Sequence, residues 1–192
     1  MKSVQKRYSF ISFLTISILI FPITIIAQNT LSPQDQKLMS DFENQAKAYS
    51  RLRESLEEKL PKLSPEATAK EIDAHKVSFQ KMVQAARATA KQGDIFVPGA
   101  SEMIRKIIRS EFNGPERAEL RKKVFEAEVQ GVAVKVNVPY PDSKEQIDMP
   151  PTLLLRLPQL PKQLRYRFVG TNFLLVDREN GLIVDYMTNA IP

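Results

Sequence analysis

The hydrophobic period of this chain changes once, near residue 131, and that change limits its fold more than any single motif. Up to there, apolar residues recur at alternating steps of three and four; beyond it they alternate with polar ones. A chain that separates helical from strand periodicity in this way predicts an α+β domain, with helices packed on an antiparallel sheet.

The first helix opens at Ser32-Pro33-Gln34-Asp35, where Ser32 can cap, Pro33 suits the first helical position and Asp35 faces the positive helix end. Leu38, Phe42, Gln45, Tyr49, Leu52, Leu56 and Leu60 form one stripe, and Pro61 ends it. Ser64-Pro65-Glu66 repeats the opening signal. Ile72, Phe79, Met82, Val83, Ala86 and Ala90 then form a second stripe before Gly93, a C-terminal cap. Two amphipathic helices joined by a short loop predict an antiparallel hairpin. Asp94 to Gly99 is a break that tucks Phe96 against it. A shorter helix spans about Ser101 to Phe112 on Ile104, Ile107, Ile108 and Phe112, and a fourth runs from Pro115 to about Glu128 on Leu120, Val124 and Ala127.

Val132, Val134, Val136 and Val138 alternate with Ala133, Lys135 and Asn137, which predicts a half-buried strand. Pro139 to Pro151 reads as a proline-rich strap, and Leu153 to Leu157 as one helical turn. The last 30 residues predict a three-stranded meander: Leu164 to Val169, a turn at Gly170-Thr171-Asn172, Phe173 to Asp177, a turn at Glu179-Asn180-Gly181, and Leu182 to Met187. Tyr166 and Phe168 share one face, Arg165 and Arg167 the other. The valine strand can extend this sheet to four strands. The expected organisation is a helical region over 28–130 and a strand, strap and meander over 131–192, packed together as one domain.

Residues 1–27 read as an export signal. Lys2, Lys6 and Arg7 precede an uncharged apolar run from Phe10 to Ala27. Pro22 stops the apolar helix and leaves Ile23 to Ala27 extended for a peptidase, with cleavage expected after Ala27. Ile25 is bulkier than the small residue favoured there, and 18 uncharged residues reach the lower range for spanning a bilayer, so an uncleaved anchor is the alternative. Both readings place Gln28 to Pro192 across the membrane, periplasmic or extracellular.

Removing that segment leaves 165 of 192 residues, enough to bury roughly 70% of the unfolded surface. The chain has no Cys, which excludes disulfides and thiolate metal sites and suits a bacterial exported protein. Its net charge of +6 falls to +3 without Lys2, Lys6 and Arg7, an ordinary surface that gives no reason to invoke nucleic acid.

Candidate chemistry is sparse. His75 is the sole histidine; local sequence offers it Glu71 alone, and the expected role is a partly buried helix residue paired with that carboxylate. Ser78 and Lys81 match Ser-x-x-Lys without the Ser-Asp-Asn and Lys-Thr-Gly partners of that chemistry. Arg105, Lys106, Arg109, Arg117, Arg121, Lys122 and Lys123 are interleaved with Glu102, Glu111, Glu116 and Glu119, the pattern of a solvated face, with docking on an acidic partner or membrane as the alternative. Asp177, Glu179, Asn180 and Asp185 offer oxygen ligands at a spacing unlike an EF-hand loop; the plain expectation is a turn with Asp177 and Asp185 facing Arg165 or Arg167 across strands. Pro158-Gln159-Leu160-Pro161 has the Pro-x-x-Pro form, though Leu157, Leu160 and Leu164 are expected to pack it on the sheet. Tyr49, Tyr140, Tyr166 and Tyr186 are scattered and Trp is absent, so no stacking platform is read.

The segments Leu157-Pro158-Gln159-Leu160-Pro161, Tyr166-Arg167-Phe168-Val169-Gly170, Phe173-Leu174-Leu175-Val176-Asp177 and Asn180-Gly181-Leu182-Ile183-Val184-Asp185 resemble a pattern in uncharacterised exported bacterial proteins built from a signal, a helical region and a closing meander. The same closing residues more weakly resemble the C-terminal hairpin of periplasmic proteins linked to nickel and cobalt homeostasis. Neither resemblance carries a functional residue onto this chain, which lacks the histidines and cysteines that hold those metals. The expectation is therefore an exported, non-enzymatic binding or interaction protein with no cofactor, engaging an envelope protein or cell-wall polymer. The alternatives are a periplasmic metal-homeostasis protein and a hydrolase using Asp or Glu carboxylates.

Overall fold

Ser32 caps the first helix as its position predicts, its Oγ accepting from Asp35 N at 3.1 Å with Pro33 at the first helical position. The computed structural model describes residues 32–114, 117–126, 132–141 and 149–191, the side chains of residues 120, 123, 125 and 126 excepted. The export segment, the Pro115 start of the fourth helix, its Leu120 and Ala127 side chains and the middle of the proline strap lie outside these residues.

Helix α1 (Pro33–Glu57) buries Phe42, Ala46, Tyr49, Ser50 and Arg53. This stripe is rotated from the expected one: Gln45 is exposed, and Leu52 and Leu56 are half-buried. The reason lies in what the helix rests on. Its second half meets a turn carrying Asp177 and Glu179, and both take Arg53.

Helix α2 (Ala69–Ala86) begins at neither serine nor proline but at Thr68, whose Oγ1 accepts from Glu71 N while the Glu71 carboxylate accepts from Thr68 N at 2.8 Å. This reciprocal box satisfies two orphan donors at once, and Ser64 closes a local turn instead. The helix also stops short of Gly93. Asn137 Nδ2 donates to Arg87 O at 2.7 Å and Gln84 Nε2 donates to Asn137 O at 2.8 Å, so side chains replace the next helical turn. Only Phe79 and Val83 are buried on α2, and Ile72, expected inside, is 48% exposed. Arg53 lies over the Phe79 ring and Arg87 over the Tyr49 ring, at 4.9 and 5.0 Å, which fixes α1 and α2 as antiparallel.

Helix α3 (Pro98–Phe112) is the most thoroughly buried helix among the described residues, through Ala100, Met103, Ile104, Ile107, Ile108, Glu111 and Phe112. It starts at Pro98, just after Phe96 stacks on Phe42 at 5.2 Å as expected. Gly99 sits so close to α1 that an added Cβ would lie 2.7 Å from Leu38 Cδ2. Helices α4 (Ala118–Glu126) and α5 (Pro151–Leu154) follow.

Strands β1 (Leu164–Val169), β2 (Asn172–Asp177) and β3 (Ile183–Met187) form the expected antiparallel meander in the order β1-β2-β3. Val169 pairs with Asn172 across Gly170-Thr171, and Gly170 takes φ 54°. A register shift at Leu175/Val176 leads into the second turn, where Gly181 has φ 73°. One face presents Leu164, Tyr166, Phe168, Phe173, Leu175 and Val184 to the helices. The opposite face carries Val169, Leu174, Val176 and Ile183 beneath Tyr140, Val132 and Val134.

The valine segment thus covers the sheet without becoming a strand of it. Asn137 adopts φ 63°, which breaks the alternation, and Pro139 lacks the N–H that a ladder needs. It meets the sheet at an isolated bridge between Pro139 and Leu182, through Asn137 N to Ile183 O and Tyr140 N to Gly181 O, each 2.8 Å, and Ile183 N to Val138 O at 3.0 Å.

Candidate functional site

Two carboxylates of the β2–β3 hairpin are fully buried, and each has a separate purpose. Asp177 Oδ2 accepts from the Tyr49 hydroxyl at 2.8 Å and meets Arg53 Nε at 3.1 Å; its Oδ1 accepts from Glu179 N and Asn180 N at 3.0 and 3.2 Å. Arg53 extends to Glu57 at 3.1 Å and to Glu179, so one guanidinium, 2% exposed, joins α1 to the last turn. Burial and then the neighbouring Asp177 charge push the Tyr49 phenol well above its ordinary range. Tyr49 therefore stays a donor.

Asp185 closes a second clasp. Its Oδ2 accepts from Ile95 N and Phe96 N at 2.8 Å, and its Oδ1 accepts from Gly93 N at 2.9 Å and Tyr186 N at 2.8 Å. Gly93, expected to cap α2, instead uses φ 88° to aim its N–H at this carboxylate. Neither aspartate faces Arg165 or Arg167, contrary to the cross-strand expectation. Asp177 lies opposite Leu164 and Asp185 opposite Leu175, both turned toward the helices. A carboxylate offers about four acceptor positions: Asp185 fills them with four backbone donors, and Asp177 accepts three hydrogen bonds and pairs by charge with Arg53, whose Nε–H makes no hydrogen bond.

The other sequence candidates are dispersed. Glu71 is spent on the Thr68 cap, which holds its carboxyl below the usual range, and it does not serve His75. His75 is half-buried as expected, but it lines a recess of about 520 Å³ with Glu54, Glu57, Glu58 and Glu179. Among the described residues no three His, Asp or Glu side chains converge as metal ligands. Ser78 Oγ donates back to Ala74 O at 2.8 Å, and Ser78 and Lys81 are both exposed.

Three members of the basic stretch serve the fold. Arg117 and Arg156 approach the buried Glu111 at 3.2 and 3.6 Å, Thr152 Oγ1 donates to the same carboxylate, and Arg121 donates to the α3 end at Phe112 O and Gly114 O. Arg105 reaches Glu102 at 3.2 Å and Thr188 O at 3.3 Å. Lys106, Arg109 and Lys122 are exposed.

An open cleft of about 720 Å³ runs beside β1. Its lining combines the apolar Met149, Pro151, Leu154, Pro158 and Leu160 with the cationic Lys162, Arg165, Arg167 and Arg178. The 158–161 segment that frames it is fixed as its leucines predict: Leu157 and Leu164 are buried, Leu160 packs on the core, and the Tyr166 hydroxyl donates to Pro158 O at 2.9 Å. Gln159 N donates to Glu43 Oε1 at 3.1 Å, tying this segment to α1.

Arg53, Arg87 and this cleft were not singled out by sequence. Arg53 had a signal: it stands four residues after Tyr49 and eleven after Phe42, on the stripe itself, where a charge is out of place unless it has a buried partner. The cleft had none, because its lining comes from segments that sequence does not place side by side. No family model, curated protein or solved structure matches this chain.

Proposed function

We propose that this chain is an exported, non-enzymatic binding module that engages a component of the cell envelope through the cleft beside β1. The observation that carries this reading is the cleft itself, whose lining combines apolar side chains with the cationic Lys162, Arg165, Arg167 and Arg178. The buried carboxylates support it from the other side. Asp185 accepts four backbone hydrogen bonds, and Asp177 accepts three hydrogen bonds and pairs with Arg53, so both are committed to holding the fold. The basic n-region and apolar run of residues 1–27 support the export half.

A photo-crosslinking side chain at Gln159, which lines the cleft and is exposed, tests the binding half in cells. A discrete envelope adduct at position 159, with none from the same group at exposed Lys81, is the expected result. Equal or absent labelling at both positions would sink the reading. Mass spectrometry of the exported protein tests the other half, with a mature N-terminus at Gln28 expected and retention of Lys2 contradicting cleavage.

A further inference from the structure

We infer that the apolar rim of this cleft is a seat for an anionic phospholipid bilayer, with Leu154 and Leu155 entering the interface and Lys162 and Arg178 held at the headgroups. This rests on the reading of the cleft as a binding surface and names its partner. Single exposed leucines are ordinary on any protein. Here two are consecutive, Leu154 at 46% and Leu155 at 87% exposed, and they sit on a turn that cannot fold them inward. Pro150 and Pro151 fix its entry, Leu153 is buried beneath it, and Arg156 Nη2 donates to Ser110 Oγ at 2.7 Å, pinning its exit to α3.

Charge chooses the occupant. Leu154 lines the same cleft as Lys162 and Arg178, both exposed, and Leu155 follows it at the rim. These two cations also line a second recess, where Glu57 and Glu179 share Arg53 and Glu54 accepts from Gln163 Nε2. An apolar tip that projects, rather than a recess that receives, and that is flanked by cations has the composition of an interfacial anchor.

The chain has no Trp, so Leu155→Trp makes a single fluorescent reporter in the full-length protein. The probes are vesicles of phosphatidylcholine alone, or mixed with phosphatidylglycerol, each carrying a nitroxide-labelled lipid. Position 155 reports depth at its own site whether or not residues 1–27 also hold the membrane. The expected result is a blue shift and quenching in the mixed vesicles, reversed by salt, with neither change for Val77→Trp on α2. Lys162→Gln and Arg178→Gln should each lower the docked-to-undocked ratio about fivefold. No quenching in either vesicle overturns the inference, as does equal quenching in phosphatidylcholine alone. A blue shift produced only by lipid-free envelope protein also overturns it, in favour of a protein partner. If docking fails while the Gln159 adduct persists, the cleft remains the binding surface and its partner is not lipid.

Discussion

Arg53 is the residue whose removal or isolation has the largest expected consequence, because it is a cation held 2% exposed between two elements far apart in sequence. Asp177→Asn leaves Arg53 with Glu57 and Glu179 but weakens the hydrogen bonds that the buried carboxylate accepts, so it should destabilise by about 1.5–3 kcal/mol in urea unfolding. Arg53→Met combined with Asp177→Asn should cost less than the sum of the single changes; additivity would show that the two do not interact. Tyr49→Phe keeps the ring under Arg87 but removes a donor to a charged acceptor, a loss of about 1.5–3 kcal/mol. The phenol also sets a pH window. Its folded pKa lies above the unfolded value of about 10, so its contribution is complete below that pH and is lost as pH rises beyond it. Tyr166, also shifted upward by burial and then by Glu43, adds to the same alkaline loss. Stability measured from pH 9 upward should therefore fall less steeply in Tyr49→Phe than in the parent, and parallel profiles would refute the assignment.

At the scale of elements, the Asp185 clasp shows why some boundaries are readable in a sequence and others are not. Turns announce themselves locally: Gly170 and Gly181 each supply the positive φ that the hairpins need, and the meander follows from them. Helix ends depend on distant partners. Nothing near Ala86 says that Asn137 will take the Arg87 carbonyl, and nothing near Gly93 says that Asp185 will collect its N–H. The valines of 132–138 have strand chemistry in every local respect, yet Asn137 turns left-handed to reach α2, and that tertiary demand overrides the alternation. The cleft is harder still, since its lining residues meet only after the sheet has formed. Asp185→Asn places an amide donor against backbone donors of the 93–96 loop. Exchange protection of the Gly93, Ile95 and Phe96 amides should drop by at least about tenfold, while the β1–β2 amides keep theirs. Unchanged protection would mean the loop is held by the packing of Ile95 and Phe96 alone. Gly99→Ala meets only the tip of the half-buried Leu38 side chain, which can swing aside, so thermal unfolding should change by no more than about 0.5 kcal/mol. A larger loss would show that Leu38 is held in place at the α1–α3 contact.

At the scale of the whole molecule, the helices and the sheet share one core among the described residues. Phe42 of α1 and Phe96 before α3 lie against Tyr166 and Phe173 of β1 and β2 in one aromatic run, with centroids of Tyr166 and Phe173 5.0 Å apart. Phe112 at the end of α3 meets Phe168 of β1 edge-on at 5.3 Å. The polar links repeat this arrangement: Arg53 binds α1 to the β2–β3 turn, Asp185 binds β3 to the loop before α3, and Arg87 Nη2 donates from the end of α2 to Val184 O at 3.0 Å. A helical hairpin so dependent on the sheet for its buried face has little to stabilise it once the sheet is gone, since isolated helices of this kind are marginal in water. The expected behaviour is a single cooperative transition in which far-UV circular dichroism, dominated by helix, and tyrosine fluorescence, which reports the sheet and its contacts, have the same midpoint. Asp177→Asn should shift both midpoints together, although the substitution lies in the hairpin and the dichroism comes from the helices. Separate midpoints, with helix persisting after the tyrosine signal has changed, would show that α1 and α2 form a unit of their own and that Arg53 joins two units rather than one core.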